Sequence, residues 1–300
     1  MILGANRSLS PNPLMSTPGV PQNISTPEQL VAALGPLPPT AQVLARLQSL
    51  LADPNSDLSD VGTLLTLDAA MTTRVIKISN SSWYSRGSPC HTIEEAVNRI
   101  GFKEVFQVVS VAASSALVAQ PLTAYGRGAI ATWRESVACA FAGALIAECL
   151  SANTATAFMN GLLHAVGRQA FNRYATTAGK TLADGGFPLD FSGAEFVLLG
   201  FTQAAAGACM LKKGGFTVEN IEPVRHQYEP LEAPEPYDRL AAILFAARLL
   251  RTAICTGQEV PETPGEEEIL GSLRLARADV FSHQPSLQHK LARAEQMARI

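Results

Sequence analysis

Three observations predict an all-α fold. Ala and Leu supply more than a quarter of the 300 residues, while aromatic residues make up only 6%. That composition suits closely packed helices and lacks the residues a β-sandwich uses. Apolar residues recur at 3.6-residue spacing along most of the chain, and no alternating strand pattern of useful length interrupts them.

Residues 1–26 are rich in Pro, Ser and Asn and carry one charge, Arg7. With so little to bury, this segment is expected to be a flexible tail. The first helix is expected after an N-cap at Thr40, with Val43, Leu44, Leu47, Leu50 and Leu51 on one face and Asp53-Pro54 as its stop. Asp57 and Asp68 are candidate caps for two further short helices, one with Leu58, Val61, Leu64 and Leu65 inward, the other with Met71, Val75 and Ile78. The Ser-, Gly- and Pro-punctuated stretch from Asn80 to His91 predicts a loop. Thr92 and Glu95 then form a capping box that starts a helix with Ile93, Ala96, Val97 and Ile100 inward. Gly101 separates it from a long apolar helix through Val105, Val109 and Leu117.

After a break over residues 121–128, nearly uncharged Ala-rich stretches from Ala129 to Leu150 and Thr156 to Val166 predict central helices enclosed on several sides. Further helical segments are expected at Gly193 to Lys213, Val218 to Gln227 and Tyr237 to Cys255. The end of the chain is acidic from Glu259 to Glu268. It then becomes amphipathic, with a Leu287, Leu291, Ala294 and Ala298 stripe.

Composition excludes several functions before any motif is weighed. A net charge of -3 without a Lys or Arg block leaves no electrostatic footprint for nucleic acid or an anionic membrane. The five cysteines are odd in number and never form a C-x-x-C pair, so neither a disulfide framework nor a zinc ribbon fits. No apolar run has signal-peptide or lipid-spanning character, so a cytoplasmic location is expected. The Gly126-Arg127-Gly128-Ala129-Ile130-Ala131 string matches a dinucleotide fingerprint only on paper, because a helix precedes it where a strand is required. No phosphate-binding loop and no nucleophile elbow is present.

Three stretches together resemble one family. They are Leu37-Pro38-Pro39 with Asp53-Pro54; Ile78-Ser79-Asn80-Ser81 through Trp83-Tyr84 to Ile93-Glu94-Glu95-Ala96-Val97 and Arg99-Ile100-Gly101; and Phe158-Met159-Asn160-Gly161-Leu162-Leu163-His164-Ala165-Val166-Gly167. In this order they resemble the HD-related output domain (HDOD) proteins of bacterial signal transduction, over about residues 26–255. The resemblance implies a multi-helix HD-like core with an N-terminal helical subregion packed against it. The expected division is 1–26 tail, 27–124 N-terminal subregion, 125–256 HD-like core, and 257–300 acidic linker with an amphipathic helix.

A catalytic HD phosphohydrolase needs an upstream His, a His-Asp pair and a distant Asp, because a divalent metal must be held by at least three protein ligands to activate water. In this chain the corresponding positions are Glu135, His164 followed by Ala165, and Ala247, while later family histidines fall near Gln203 and near Gln227 or Tyr228. The resemblance therefore implies a degenerate pocket of Glu135, His164, Ala165, Gln203 and Ala247, with no metal, no cofactor and no enzymatic activity. The ordinary reading of His164 is a core or rim histidine bonded to a backbone carbonyl or to Gln203. That of Glu135 is a surface or capping carboxylate near Arg134 or Arg168.

The function expected is a non-catalytic signalling module that binds a regulatory protein. The alternatives are a small-ligand or nucleotide receptor using the vacated pocket and, last, a residual hydrolase. Arg168, Trp83 and Tyr84 are candidate ligand or partner contacts. No nucleic acid or membrane partner is expected, and a homodimer stays open.

Overall fold

The computed structural model describes residues 24–52, 60, 62–64, 69–81, 84–85, 87–182 and 190–298. Among them the chain is helical with no β-strand; an isolated bridge pairs Leu122 with Arg127. The all-α expectation is met. Of the tail expected over 1–26, residues 1–23 lie outside the described residues, as do Trp83 and the candidate caps Asp57 and Asp68.

The N-terminal subregion holds α1 (Pro27–Ala33), α2 (Pro39–Ala52), α3 (Ala69–Ser79), α4 (Ile93–Ile100) and α5 (Phe102–Val118). Helix α1 is an addition to the expected list. Thr26 caps it by accepting from the Gln29 N–H, and Pro27 occupies the first turn, where its missing N–H costs nothing. Helix α2 begins at Pro39, so Thr40 lies inside it rather than capping it.

The loop after α3 is closed by Asn80, whose amide donates to the Cys90 carbonyl at 2.8 Å and accepts from the Cys90 N–H at 2.7 Å. Arg99 anchors the same loop by donating to Asn80 Oδ1 and to the Ser88 carbonyl. At α4 the Thr92 hydroxyl accepts from the Glu95 N–H as expected. The Glu95 carboxylate takes the His91 N–H.

Helices α6 (Ala129–Cys149) and α7 (Thr154–Leu163) form the centre and pack on each other, with α12 (Asp238–Thr256) closing the other side. Glycine sets their approach. A Cβ on Gly161 would lie 2.3 Å from the Cys139 carbonyl oxygen, and one on Gly143 would lie 2.6 Å from that of Ala157. Phe158 packs edge-on against Phe106 of α5 and Phe141 of α6, which ties the N-terminal subregion to the core. Helix α6 is long and apolar enough to cross a membrane, but 67% of its apolar window is buried inside the fold.

Around this centre lie α8 (Arg168–Thr177), α9 (Ser192–Leu199), α10 (Gln203–Lys213) and α11 (Val218–Arg225). The single helix expected over Gly193–Lys213 is two, bent by 82° at a break where Gly200 adopts φ 77°. That left-handed conformation is cheap for glycine and ends α9.

The C-terminal part adds α13 (Glu266–Ser272), α14 (Arg277–Phe281) and α15 (Gln284–Met297). The acidic stretch is thus partly helical, with Glu266 buried and paired with Arg277. Helix α15 docks on α6 and α12 through Leu287, Leu291, Ala294 and Met297, whereas Ala298 is exposed.

Candidate functional site

The polar residues of the core converge between α6, α8 and α12. Glu135 on α6 is 3% exposed and faces three guanidinium groups from three elements. Arg127, in the turn before α6, reaches Oε1 at 2.6 Å. Arg168, at the start of α8, and Arg251, on α12, approach Oε2 at 3.4 and 3.7 Å. Arg168 and Arg251 are themselves 2% and 1% exposed. A carboxylate taken out of water needs such company, and buried cations need it equally. Glu135 is therefore not the surface or capping carboxylate expected, although Arg168 is one of its partners. Arg134 pairs instead with Glu295 on α15.

Arg168 also lies over the rings of Tyr125 and Phe191, at 5.8 and 5.1 Å from their centroids. Burial disfavours its charge, but Tyr228, Glu135 and Glu195 outweigh that and hold its pKa above the usual value. Tyr125 donates its hydroxyl proton to Glu195 at 2.9 Å. Burial, then the Glu195 charge, pushes the Tyr125 pKa well up. Burial likewise raises the Glu195 carboxyl, against the pull of Arg168 and the Gln203 N–H.

His164 caps the end of α7 and is fully enclosed. Its Nδ1 lies 2.7 Å from the Gly161 carbonyl, an acceptor only, which places the ring proton on Nδ1 and leaves Nε2 as a lone pair. Nε2 has no hydrogen-bond partner. Burial first, then Arg251 and Arg168, holds the His164 pKa well below its usual value, so the ring is neutral. Gln203 and Gln227 both donate to the backbone carbonyl of His164, at 3.1 and 2.8 Å, and Gln203 also donates to the Tyr228 hydroxyl. Gln203 thus engages the chain at His164 and not its ring.

Ala165 is half-buried and borders a small cavity together with Glu135 and Arg168. Ala247 is fully buried on α12. Of the five positions Glu135 lies on α6, Gln203 on α10, Ala247 on α12, and His164 and Ala165 just past the end of α7; Ala165 and Ala247 bring no donor atom. Among the described residues no three His, Cys, Asp or Glu side chains converge as a metal-binding group. With Glu135 surrounded by guanidinium groups, this donor set does not fit a divalent cation.

Tyr84 is half-buried. Its hydroxyl donates to Glu104 at 2.8 Å and its ring lies 4.6 Å beneath the Arg293 guanidinium, so it ties α5 to α15. Arg127, Arg251, Arg248 and Glu195 were not singled out from sequence. Arg248 and Arg251 are the two charges in the run from Leu240 to Cys255, and charges in an otherwise apolar helical run are the signal that would have found them.

The fold is thus a multi-helix domain with a polar cluster where α6, α8 and α12 meet. The HDOD domain model matches residues 37–230, and the chain belongs to that family. An HDOD domain protein of unknown function from Geobacter sulfurreducens superposes with a TM-score of 0.70 at 21% identity, over 90% of this chain and 97% of that one. A signal-transduction candidate from Marinobacter aquaeolei VT8 gives 0.69 at 22% identity over 90% of this chain, which spans 61% of the Marinobacter chain. A phosphohydrolase candidate from Shewanella amazonensis SB2B gives 0.62 at 22% identity, over 91% and 98%. At these identities the likeness is one of fold. An uncharacterized protein of Treponema pallidum (strain Nichols) is 31% identical over 91 residues, and the match covers 18% of its length.

Proposed function

We propose that this chain is a non-catalytic signalling module of the cytoplasm that acts by binding a regulatory protein. One observation carries the reading: Glu135, at the position resembling the upstream metal ligand, is engaged by Arg127, Arg168 and Arg251. A carboxylate so neutralised is poorly placed to bind a cation, and three nearby positive charges would repel one. The signal-transduction candidate among the similar structures agrees with this role, and the phosphohydrolase candidate supplies the competing one. Adjacent large apolar side chains on α9, Phe196 and Val197, are 59% and 88% exposed and suit a protein contact better than a solvated surface.

The test is chemical. Tag-free protein is expected to carry no stoichiometric divalent metal and to hydrolyse no phosphomonoester, phosphodiester or nucleotide above background with Mg²⁺, Mn²⁺ or Zn²⁺ added. Metal-dependent turnover abolished by His164→Ala would overturn the reading. Affinity purification from the native cell, with a Phe196→Ser/Val197→Ser variant as control, identifies the partner.

A further inference from the structure

A cleft of about 230 Å³ opens beside the buried cluster, between α12, the start of α9 and Tyr228. At about 30 Å³ per water it has room for several waters or a small oxyanion. Two guanidinium groups line it, Arg248 and Arg251, with the hydroxyls of Ser192, Tyr228, Thr252 and Thr263 and one carboxylate, Asp190.

The charges of this lining are unequally satisfied. Burial pushes the Asp190 carboxyl up, but Arg248 and the Ser192 N–H together hold it below its usual range, so Asp190 stays ionised and matched to Arg248. Arg248 is further committed, donating to the Gln227 carbonyl and lying 4.3 Å over the Tyr228 ring. Arg251 is different. It is 1% exposed, and its Nε and Nη1 have no hydrogen-bond acceptor. Its nearest carboxylate oxygen, Glu135 Oε2, lies 3.7 Å away and is shared with Arg168, while Arg127 holds Oε1 of the same carboxylate. A buried guanidinium with unspent donors is costly, and that cost falls when an anion supplies the acceptors. Counting the neighbourhood, Arg127, Arg168, Arg248 and Arg251 face Glu135, Asp190 and Glu195, an excess of one positive charge even with all three carboxylates ionised. Tyr228 adds a hydroxyl that already accepts from Gln203 and so has its own proton to donate outward.

We infer that the Arg251–Arg248 cleft is an anion site for a phosphate group, free or carried as a small phosphomonoester, bound without metal and without turnover. Guanidinium recognises tetrahedral oxyanions through charge and directed N–H donors together, and the Tyr228 hydroxyl can donate to a further oxygen, whereas the Thr252 and Thr263 hydroxyls already donate to the Arg248 carbonyl and to Glu266. This goes beyond the protein-binding reading, which stands or falls on turnover and partner capture.

The experiment is calorimetric titration of the full chain with inorganic phosphate, 5′-AMP and adenosine, each against wild type, Arg251→Met, Arg251→Lys and Arg248→Gln. Saturable binding of phosphate or 5′-AMP is expected, with adenosine inert. Preference for 5′-AMP over phosphate would mark an ester as the occupant, and equal binding a free ion. Arg251→Met should weaken the affinity at least about tenfold, the scale of one lost charged hydrogen bond. Arg251→Lys should retain part of it. Arg248→Gln, at a half-buried position, should also weaken it and serves if Arg251→Met does not fold. Binding of wild type weaker than about 10 mM for both anions, equal binding of adenosine, or unchanged affinity in both Arg251→Met and Arg248→Gln overturns the inference.

Discussion

Replacing Glu135 by Gln removes one charge and leaves three guanidinium groups facing a neutral amide. Two of them, Arg168 and Arg251, are 2% and 1% exposed, so water compensates them poorly even though Arg251 borders the cleft. Removing one partner of a buried ion pair costs about 3–5 kcal/mol, mostly because the other charge stays buried and uncompensated. Arg127 is about one-third exposed and recovers solvation, so it adds little. With an unfolding entropy of roughly 2.1 cal/mol/K per residue, 300 residues give about 0.6 kcal/mol/K, and the melting temperature should fall by about 5–8 °C. Urea unfolding followed by circular dichroism, with thermal melts on the same samples, measures both. The decisive comparison is the cycle of Glu135→Gln, Arg251→Met and the double variant. If uncompensated charge is the cause, the double variant is more stable than Glu135→Gln alone. A loss below about 1 kcal/mol, or a double variant no better than the single, refutes the reasoning.

Four further outcomes are expected. Gly161→Ala and Gly167→Ala would set a Cβ 2.3 and 2.0 Å from backbone oxygens of Cys139 and Gln203, so each should cost 3 kcal/mol or more, about the upper end for overpacking, or yield insoluble protein; Gly193→Ala, with open space around it, should be within about 1 kcal/mol of wild type. Asn80→Ala removes both bonds to Cys90 and should cost about 1–3 kcal/mol in urea unfolding. Deleting residues 284–300 uncovers the surface under Leu287, Leu291 and Met297 and should lower stability by several kcal/mol, about 2 per large side chain, visible as an earlier urea midpoint. The unfolded chain protonates His164 near pH 6.5, the folded chain only well below it, so the unfolded state binds more protons in this window. The contribution of His164 is full above about pH 6.5 and is lost by up to about 1.4 kcal/mol per unit as pH falls toward the folded value; His164→Gln should flatten that slope between pH 6.5 and 5.5.

Elements with a local start signal and a single buried face were legible. Thr92 and Glu95 fixed α4, and Leu287, Leu291 and Ala294 fixed α15. Met297 completes the α15 seam in place of Ala298 because three or four residues past Ala294 both fall within the apolar arc, and the larger side chain takes the buried position. The Thr26-Pro27 start of α1 was equally visible but sat inside a segment whose Pro and Ser content pointed to a tail. The bend at Gly200 was missed because apolar residues continue on both sides of it, and periodicity does not register a turn made by one glycine. The five candidate positions were chosen through family resemblance, and of the partners of Glu135 only Arg168 was anticipated. Arg127 lies in a glycine string set aside as a turn, and its contact with Glu135 depends on the left-handed Gly126 that folds the turn back. Arg251 approaches Glu135 from 116 positions away, a distance no local pattern encodes.

The shared carboxylate also constrains how such a sequence can change over generations. Any substitution that turns Glu135 into a neutral ligand must pass through a chain with uncompensated arginines. Losing Arg168 or Arg251 first still leaves a guanidinium beside Glu135, so these positions can drift one at a time on the cationic side but not on the anionic side. Descendants should therefore vary their arginines before their glutamate, and a step toward metal binding has to wait until those arginines are gone.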